Sequence, residues 1–257
     1  MMRKGLLAAA AAILMVTSSA GMADEIKVLS AGAMQRGLIG IADKFKAGAG
    51  HDVRITYATA PELRKILTER DGAADVLLAP YPTLAEARKL GKLIAEGQLE
   101  IGGVGSAVLV RPDAPVPDLS SLAAFKRSLV AADALVYNRA SSGVYIDSML
   151  HKIGLFDEVE RKIVRVDDGE AVATRIKQGH GKELGFGGYT DVLHNQDMGG
   201  VKLAGPIPDE VQNYTIYSSS LIANGPNPAA ARAFLAYLAT PEARAIFATS
   251  GVVTVRR

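Results

Sequence analysis

The segment IKVLSAGAMQRGLIGIADKFK, residues 26–46, changes its period in the middle. Residues 26–29 read as a short buried strand. A turn of small residues follows, Ser30-Ala31-Gly32-Ala33, and then Leu38, Ile41, Ala42 and Phe45 recur at helical spacing. A strand that enters a helix through Ser, Ala and Gly leaves the first backbone N–H groups of the helix without bulky neighbours. A small anion can sit against them. The same small residues also suit a plain strand–helix packing joint, and this segment by itself is consistent with both readings.

The rest of the chain repeats the joint. Residues 52–58, DVRITYA, alternate as a strand, and Thr59-Ala60-Pro61-Glu62 opens a helix to about residue 69, with Thr59 suited to the cap and Pro61 to the first turn. Residues 74–79, ADVLLA, form the continuous apolar run of a buried parallel strand, and a turn at 80–83 leads to a helix over 84–90. Residues 101–111 read as a long apolar strand, and prolines punctuate 112–117. Beyond them the pattern predicts a helix over 120–126, a strand over 129–137, a loop at 138–143 and a helix over 144–153. A strand ends near 166, a helix opens at 167–170, a short strand covers 184–187, and another helix starts at 189. Residues 205–208 look like a connector, 214–223 a returning strand, and 227–238 and 241–249 two amphipathic helices. Strands alternating with helices predict an α/β fold with right-handed crossovers. The expected arrangement is two lobes, residues 24–111 plus 207–257 and residues 112–206, facing each other across a cleft that closes by hinge motion.

Composition narrows the function. Met1-Met2-Arg3-Lys4, an apolar run and Gly21-Met22-Ala23 read as a cleavable secretory signal, so residues 1–23 are set aside and a periplasmic location is expected. The run is too short for a spanning anchor. The chain has 29 Lys and Arg against 27 Asp and Glu, and losing Arg3 and Lys4 balances them. No basic patch with interleaved aromatics occurs, which argues against a nucleic-acid partner. There is no Cys, so the apolar core must hold an exported fold without disulfides. His51, His151, His180 and His194 lack metal-ligand spacing, and no nucleophile elbow or P-loop is present, so no cofactor is expected.

The candidate site is therefore the set of joints. Ser30 to Ala33 and Thr59-Ala60 lie in the first lobe, and Ser141-Ser142-Gly143, Asp168-Gly169 and Gly188-Tyr189 in the second. Each is an ordinary N-cap taken singly; together they offer backbone N–H groups and hydroxyls to an anion. Asn138 and Arg139 are possible additional contacts, Arg139 being suited to a carboxylate. An enzyme on this fold would need a general acid or base, for which Glu170 and Asp191 are the nominees. Tyr214 and Tyr217 read as core or hinge packing.

Several phrases carry a resemblance: SAGAM after the first strand, ITYATAPEL, ADVLLAPY, SSGVY with the following ML and KIGL, and the closing ATPEARAIFATSGV. On these the chain resembles the molybdate-binding family of periplasmic solute-binding proteins. The resemblance implies a hinged type II binding-protein fold, a monomer that binds a small oxyanion such as molybdate or tungstate without catalysis, and delivery to an ABC permease. It places ligand contacts at Ser30 or Ala33, at Thr59 or Ala60, at Ser142, at the backbone of Gly169 and at Tyr189. Where the family offers hydroxyls, Ala33 and Ala60 stand here. That keeps two alternatives beside the oxyanion receptor: a receptor for a small organic carboxylate, and an exported dehydratase- or lyase-like enzyme.

Overall fold

The computed structural model describes residues 24–94 and 96–255; the proposed signal, residues 1–23, lies outside them. Strand β1 (Glu25–Ala31) runs two residues past its expected end, and a 3-10 turn over Gly32–Met34 leads into α1 (Gln35–Ala49). Leu38, Ile41 and Phe45 of α1 are buried at the predicted spacing, and Gly50, with φ 75°, stops the helix in the left-handed conformation that glycine adopts freely. There follow β2 (Asp52–Ala58), α2 (Ala60–Glu69), β3 (Val76–Pro80), α3 (Tyr81–Lys89) and the long β4 (Leu99–Val110). The middle of the chain supplies α4 (Leu122–Ala131), β5 (Ala134–Asn138), α5 (Ser141–Lys152), α6 (Phe156–Val159), β6 (Ile163–Val166), α7 (Gly169–Gln178), β7 (Glu183–Gly188), α8 (Tyr189–Asp197) and β8 (Lys202–Pro206). The chain closes with β9 (Tyr214–Leu221), α9 (Pro228–Leu238) and α10 (Pro241–Thr249).

Two expectations are corrected. The predicted strand over 129–137 begins five residues late, because Leu129 is buried on the last turns of α4, which extends past its expected end. The supposed connector at 205–208 starts inside β8; its short run KLAGP carries Gly and Pro and little alternation, and it lies beside β4, off the main strand path.

The strands form one sheet in the order β2-β1-β3-β9-β4-β7-β5-β6, with β8 paired to β4. β1 is parallel to β2 and β3, and β5 is parallel to β6 and β7. Between these parallel blocks β9 and β4 run antiparallel to their neighbours. β4 is shared: Leu99 to Gly105 pair with β9, and Ser106 to Leu109 pair with β7. One apolar core draws on residues between Ile26 and Val104 and between Tyr217 and Val252. Two others, built from residues between Ala107 and Val211, fill the second lobe. The fold is thus two-lobed. At the crossing, the Gln212 side chain accepts from Ser106 N at 2.7 Å and donates to Ser106 O at 3.0 Å. It holds the outgoing and returning chains together. Among the described residues no helix is long and apolar enough to cross a membrane.

Candidate functional site

A cavity of about 700 Å³ opens between the lobes, at the carboxyl ends of the parallel strands. Its first-lobe wall holds Ala31-Gly32-Ala33, Thr59-Ala60 and Pro80; its second-lobe wall holds Asn138, Ser141-Ser142 and Asp168-Gly169. Four of the sequence joints therefore meet in one place, and Ala33, Thr59, Ala60, Asn138, Ser142 and Gly169 all border it. Ser30, Tyr189 and Arg139 do not. Ser30 lies inside β1, fully buried, and its hydroxyl donates to Ala31 O at 3.1 Å. Tyr189 packs into the apolar cores of both lobes. Arg139 is exposed and pairs with Asp167 at 3.3 Å.

The helix starts differ in what their first N–H groups already bind. No side chain caps the turn that begins at Gly32, nor α8 at Gly188. At α2, Glu62 accepts from Thr59 N at 2.9 Å and from the Thr59 hydroxyl at 2.8 Å, so that hydroxyl is committed to its own helix. At α5, the Asn138 side-chain oxygen accepts from Ala140 N at 3.0 Å and Gly143 N at 3.2 Å, leaving the N–H groups of Ser141 and Ser142 between them. This turn demands glycine at 143, because a Cβ there would lie 1.7 Å from the Asn138 carbonyl oxygen. At α7, Asp168 accepts from Ala171 N at 2.8 Å. Free backbone donors and the positive ends of helix dipoles can hold an anion.

The side-chain charges around the cavity are mixed. Glu62, Asp168, Glu170 and Asp191 face it, as do Lys177 and His194. The hydrogen bonds from Thr59 hold the Glu62 carboxyl below the usual range. Asp191, at the first turn of α8, behaves in the opposite way: burial, and then the neighbouring Asp168, push its carboxyl up to about 7. Tyr217, expected only to pack, borders the cavity beside Pro80, its register partner on β3. Burial, and then Asp191, raise its phenol. Burial likewise pushes Tyr57 up to about 12. Tyr57, Tyr217, Lys177 and His194 carry no turn motif; only their topological position brings them in, Tyr57 near the end of β2, Tyr217 within β9 opposite the end of β3, and the other two on α7 and α8. Among the described residues no cluster of three or more His, Asp or Glu is placed to hold a metal.

The comparisons with known proteins agree with this architecture. Aconitate isomerase of Pseudomonas sp. is 28% identical over 236 residues, covering 90% of this chain and 88% of that protein. The molybdate-binding protein ModA of Escherichia coli (strain K12) is 26% identical over 261 residues, covering 98% of each. The periplasmic molybdate-binding protein of Azotobacter vinelandii superposes with a TM-score of 0.75 at 16% identity, covering 90% of this chain and 100% of that one. The profile of one family matches residues 26–253, nearly the whole described chain. The chain belongs to the bacterial extracellular solute-binding proteins.

Proposed function

We propose that this protein is the receptor of an ATP-driven permease and that it captures a small organic anion bearing more than one carboxylate. The observation that carries the reading is the meeting of four helix starts on one cavity in which the first-lobe positions are Ala33 and Ala60. A molybdate-like ligand, as the resemblance implies, relies on hydroxyls there. Each lost hydrogen bond to a charged group is worth about 1.5–3 kcal/mol. A cavity of about 700 Å³ has room for an organic ligand. Backbone N–H groups on two facing walls suit carboxylates at two ends of one molecule. One relative is, by its name, an enzyme acting on a tricarboxylic acid. In this reading the chain is exported by a cleavable signal at residues 1–23, works as a monomer, and delivers its ligand to the permease by closing and reopening the cleft.

Thermal melts with trans-aconitate, tricarballylate, molybdate and sulfate test it. A bound ligand at 100 times its dissociation constant stabilises by about 2.7 kcal/mol. The carboxylates are expected to shift the melt, and Ser142→Leu, which fills the second-lobe wall, is expected to remove the shift. A shift with molybdate alone would restore the oxyanion reading.

A second reading, an exported enzyme moving a proton on such an acid, is favoured by Asp191, a carboxyl tuned to about 7 in the cavity. Incubating the protein with trans-aconitate in deuterated water distinguishes the two. Deuterium incorporation or isomerisation that Asp191→Asn abolishes supports the enzyme; an unchanged acid supports the receptor.

A further inference from the structure

Among the acids at the cavity, Asp191 is the one whose carboxyl is neither engaged at a helix start nor exposed. Glu62 and Asp168 are engaged at their own helix starts, and Glu170 is exposed. Among the described residues, none donates a hydrogen bond to the Asp191 carboxylate; the side chain that reaches this residue, Asn195, donates through Nδ2 to its main-chain oxygen at 2.8 Å.

Three glycines fix where that carboxyl lies. A Cβ at Gly188 would fall 3.0 Å from Oδ2, one at Gly169 3.7 Å from Cγ, and one at Gly32 3.9 Å from Oδ1. Gly32 begins the turn into α1 in the first lobe, and Gly169 begins α7 in the second. The carboxyl therefore stands between helix starts of opposite lobes, at the point where an anion bridging them would sit. An ionised group there repels that anion and competes for its N–H donors. A neutral one donates a hydrogen bond to it.

We infer that Asp191 is the proton-linked gate of the site: the cleft takes up its anion with Asp191 in the neutral form, whose O–H donates to a ligand oxygen, so that anion and proton bind together. This rests on the anion-receptor reading above. Within the cavity the titratable and charged neighbours are Asp168, Glu170 and Lys177 from α7, Tyr217 from β9, Tyr57 from β2, Glu62 from α2 and His194 one turn further along α8. Arg36 of α1 is occupied by Asp197. Asp168 acts on Asp191 in the direction that favours the neutral acid, as burial does. The consequence is selectivity by proton content: anions are captured tightly on the acid side of neutrality and released on the alkaline side.

Calorimetric titration of the full mature chain with trans-aconitate, tricarballylate and molybdate, in two buffers of different ionisation heat at about pH 6 and about pH 8.5, tests this. The expected result is uptake of close to one proton per anion at the higher pH. Affinity should fall about tenfold per pH unit above neutrality. Asp191→Asn, which keeps a neutral donor, should bind with an affinity nearly constant over the same range. Binding without proton uptake, or the same pH slope in Asp191→Asn, overturns the inference and leaves the receptor reading standing. No binding by any of the three probes at either pH overturns the receptor reading, and the gate falls with it. A carbon-13 titration of the ligand-free Asp191 carboxyl with a midpoint in the ordinary carboxylate range overturns the gate whatever binds.

Discussion

Arg36 of α1 and Asp197 at the end of α8 join the two lobes: Arg36 Nε donates to Asp197 Oδ2 at 2.7 Å, and its Nη1 donates to Thr249 O at 2.7 Å. Gln35 and Met198, their chain neighbours, border the cavity. The pair bridges the two lobes. Its side chains are 28% and 51% exposed, and exposed pairs contribute about 0–1 kcal/mol. Asp197→Ala is expected to leave the melting temperature nearly unchanged while opening the ligand-free protein, seen as a larger radius of gyration in small-angle scattering. An unchanged radius would mean the pair does not hold the lobes.

The turn before α5 cannot accept a side chain. Gly143→Ala drives a methyl group into the Asn138 carbonyl and displaces the donors at Ser141 and Ser142. A destabilisation of about 3 kcal/mol is expected in urea unfolding. A loss below about 1 kcal/mol would show that the turn relaxes freely.

Asp75 ties three elements of the first lobe. It is buried, accepts from Lys27 N at 2.8 Å and from Asn227 N at 2.5 Å, and so docks the start of α9 onto β1 and β3. Asp75→Ala leaves both donors unsatisfied, and a loss of about 2–4 kcal/mol is expected. Hydrogen exchange should quicken first in α9 and α10. Uniform exchange across both lobes would contradict this local role.

Asp191 also sets a pH dependence of stability in the ligand-free protein. Its carboxyl pKa is raised on folding, so the folded state binds this proton more tightly than the unfolded chain. The stabilisation is full at and below the ordinary carboxylate range and is lost as pH rises to about 7. Wild-type melting temperature minus that of Asp191→Asn should therefore decline from about pH 4 to about pH 7 and level off above. Parallel profiles would place the carboxyl at its ordinary value.

Much of this was legible in the chain, and the failures have physical causes. The joints at Ala33, Thr59-Ala60, Ser142 and Gly169 were readable because each follows an apolar strand and precedes a helical period. All of them border the cavity. Ser30 lies off the cavity because β1 continues to Ala31, which leaves the Ser30 side chain in the protein interior. Arg139 follows buried Asn138 at the end of β5 and faces solvent instead. Tyr189 packs beside Gly251 near the chain's end, where a Cβ would come within 2.8 Å of the ring; such a distant contact leaves no local trace. Tyr217 enters the site through strand order, which no spacing within the sequence encodes, whereas Asp191, nominated from its place at a helix start, does line the cavity.

Adding back the missing hydroxyls tests the ligand class from the other side. Ala33→Ser with Ala60→Ser is expected to raise molybdate affinity about tenfold or more per hydroxyl that finds the ligand. No gain would mean that these positions do not face an oxyanion.

The most direct measurement is a competition titration of the unmodified mature protein between trans-aconitate or tricarballylate and molybdate. The structure leads us to expect a carboxylate to bind at least tenfold more tightly than molybdate, through backbone donors at Ala33, Ser142 and Gly169. Molybdate displacing the carboxylates at comparable or lower concentration would contradict the account.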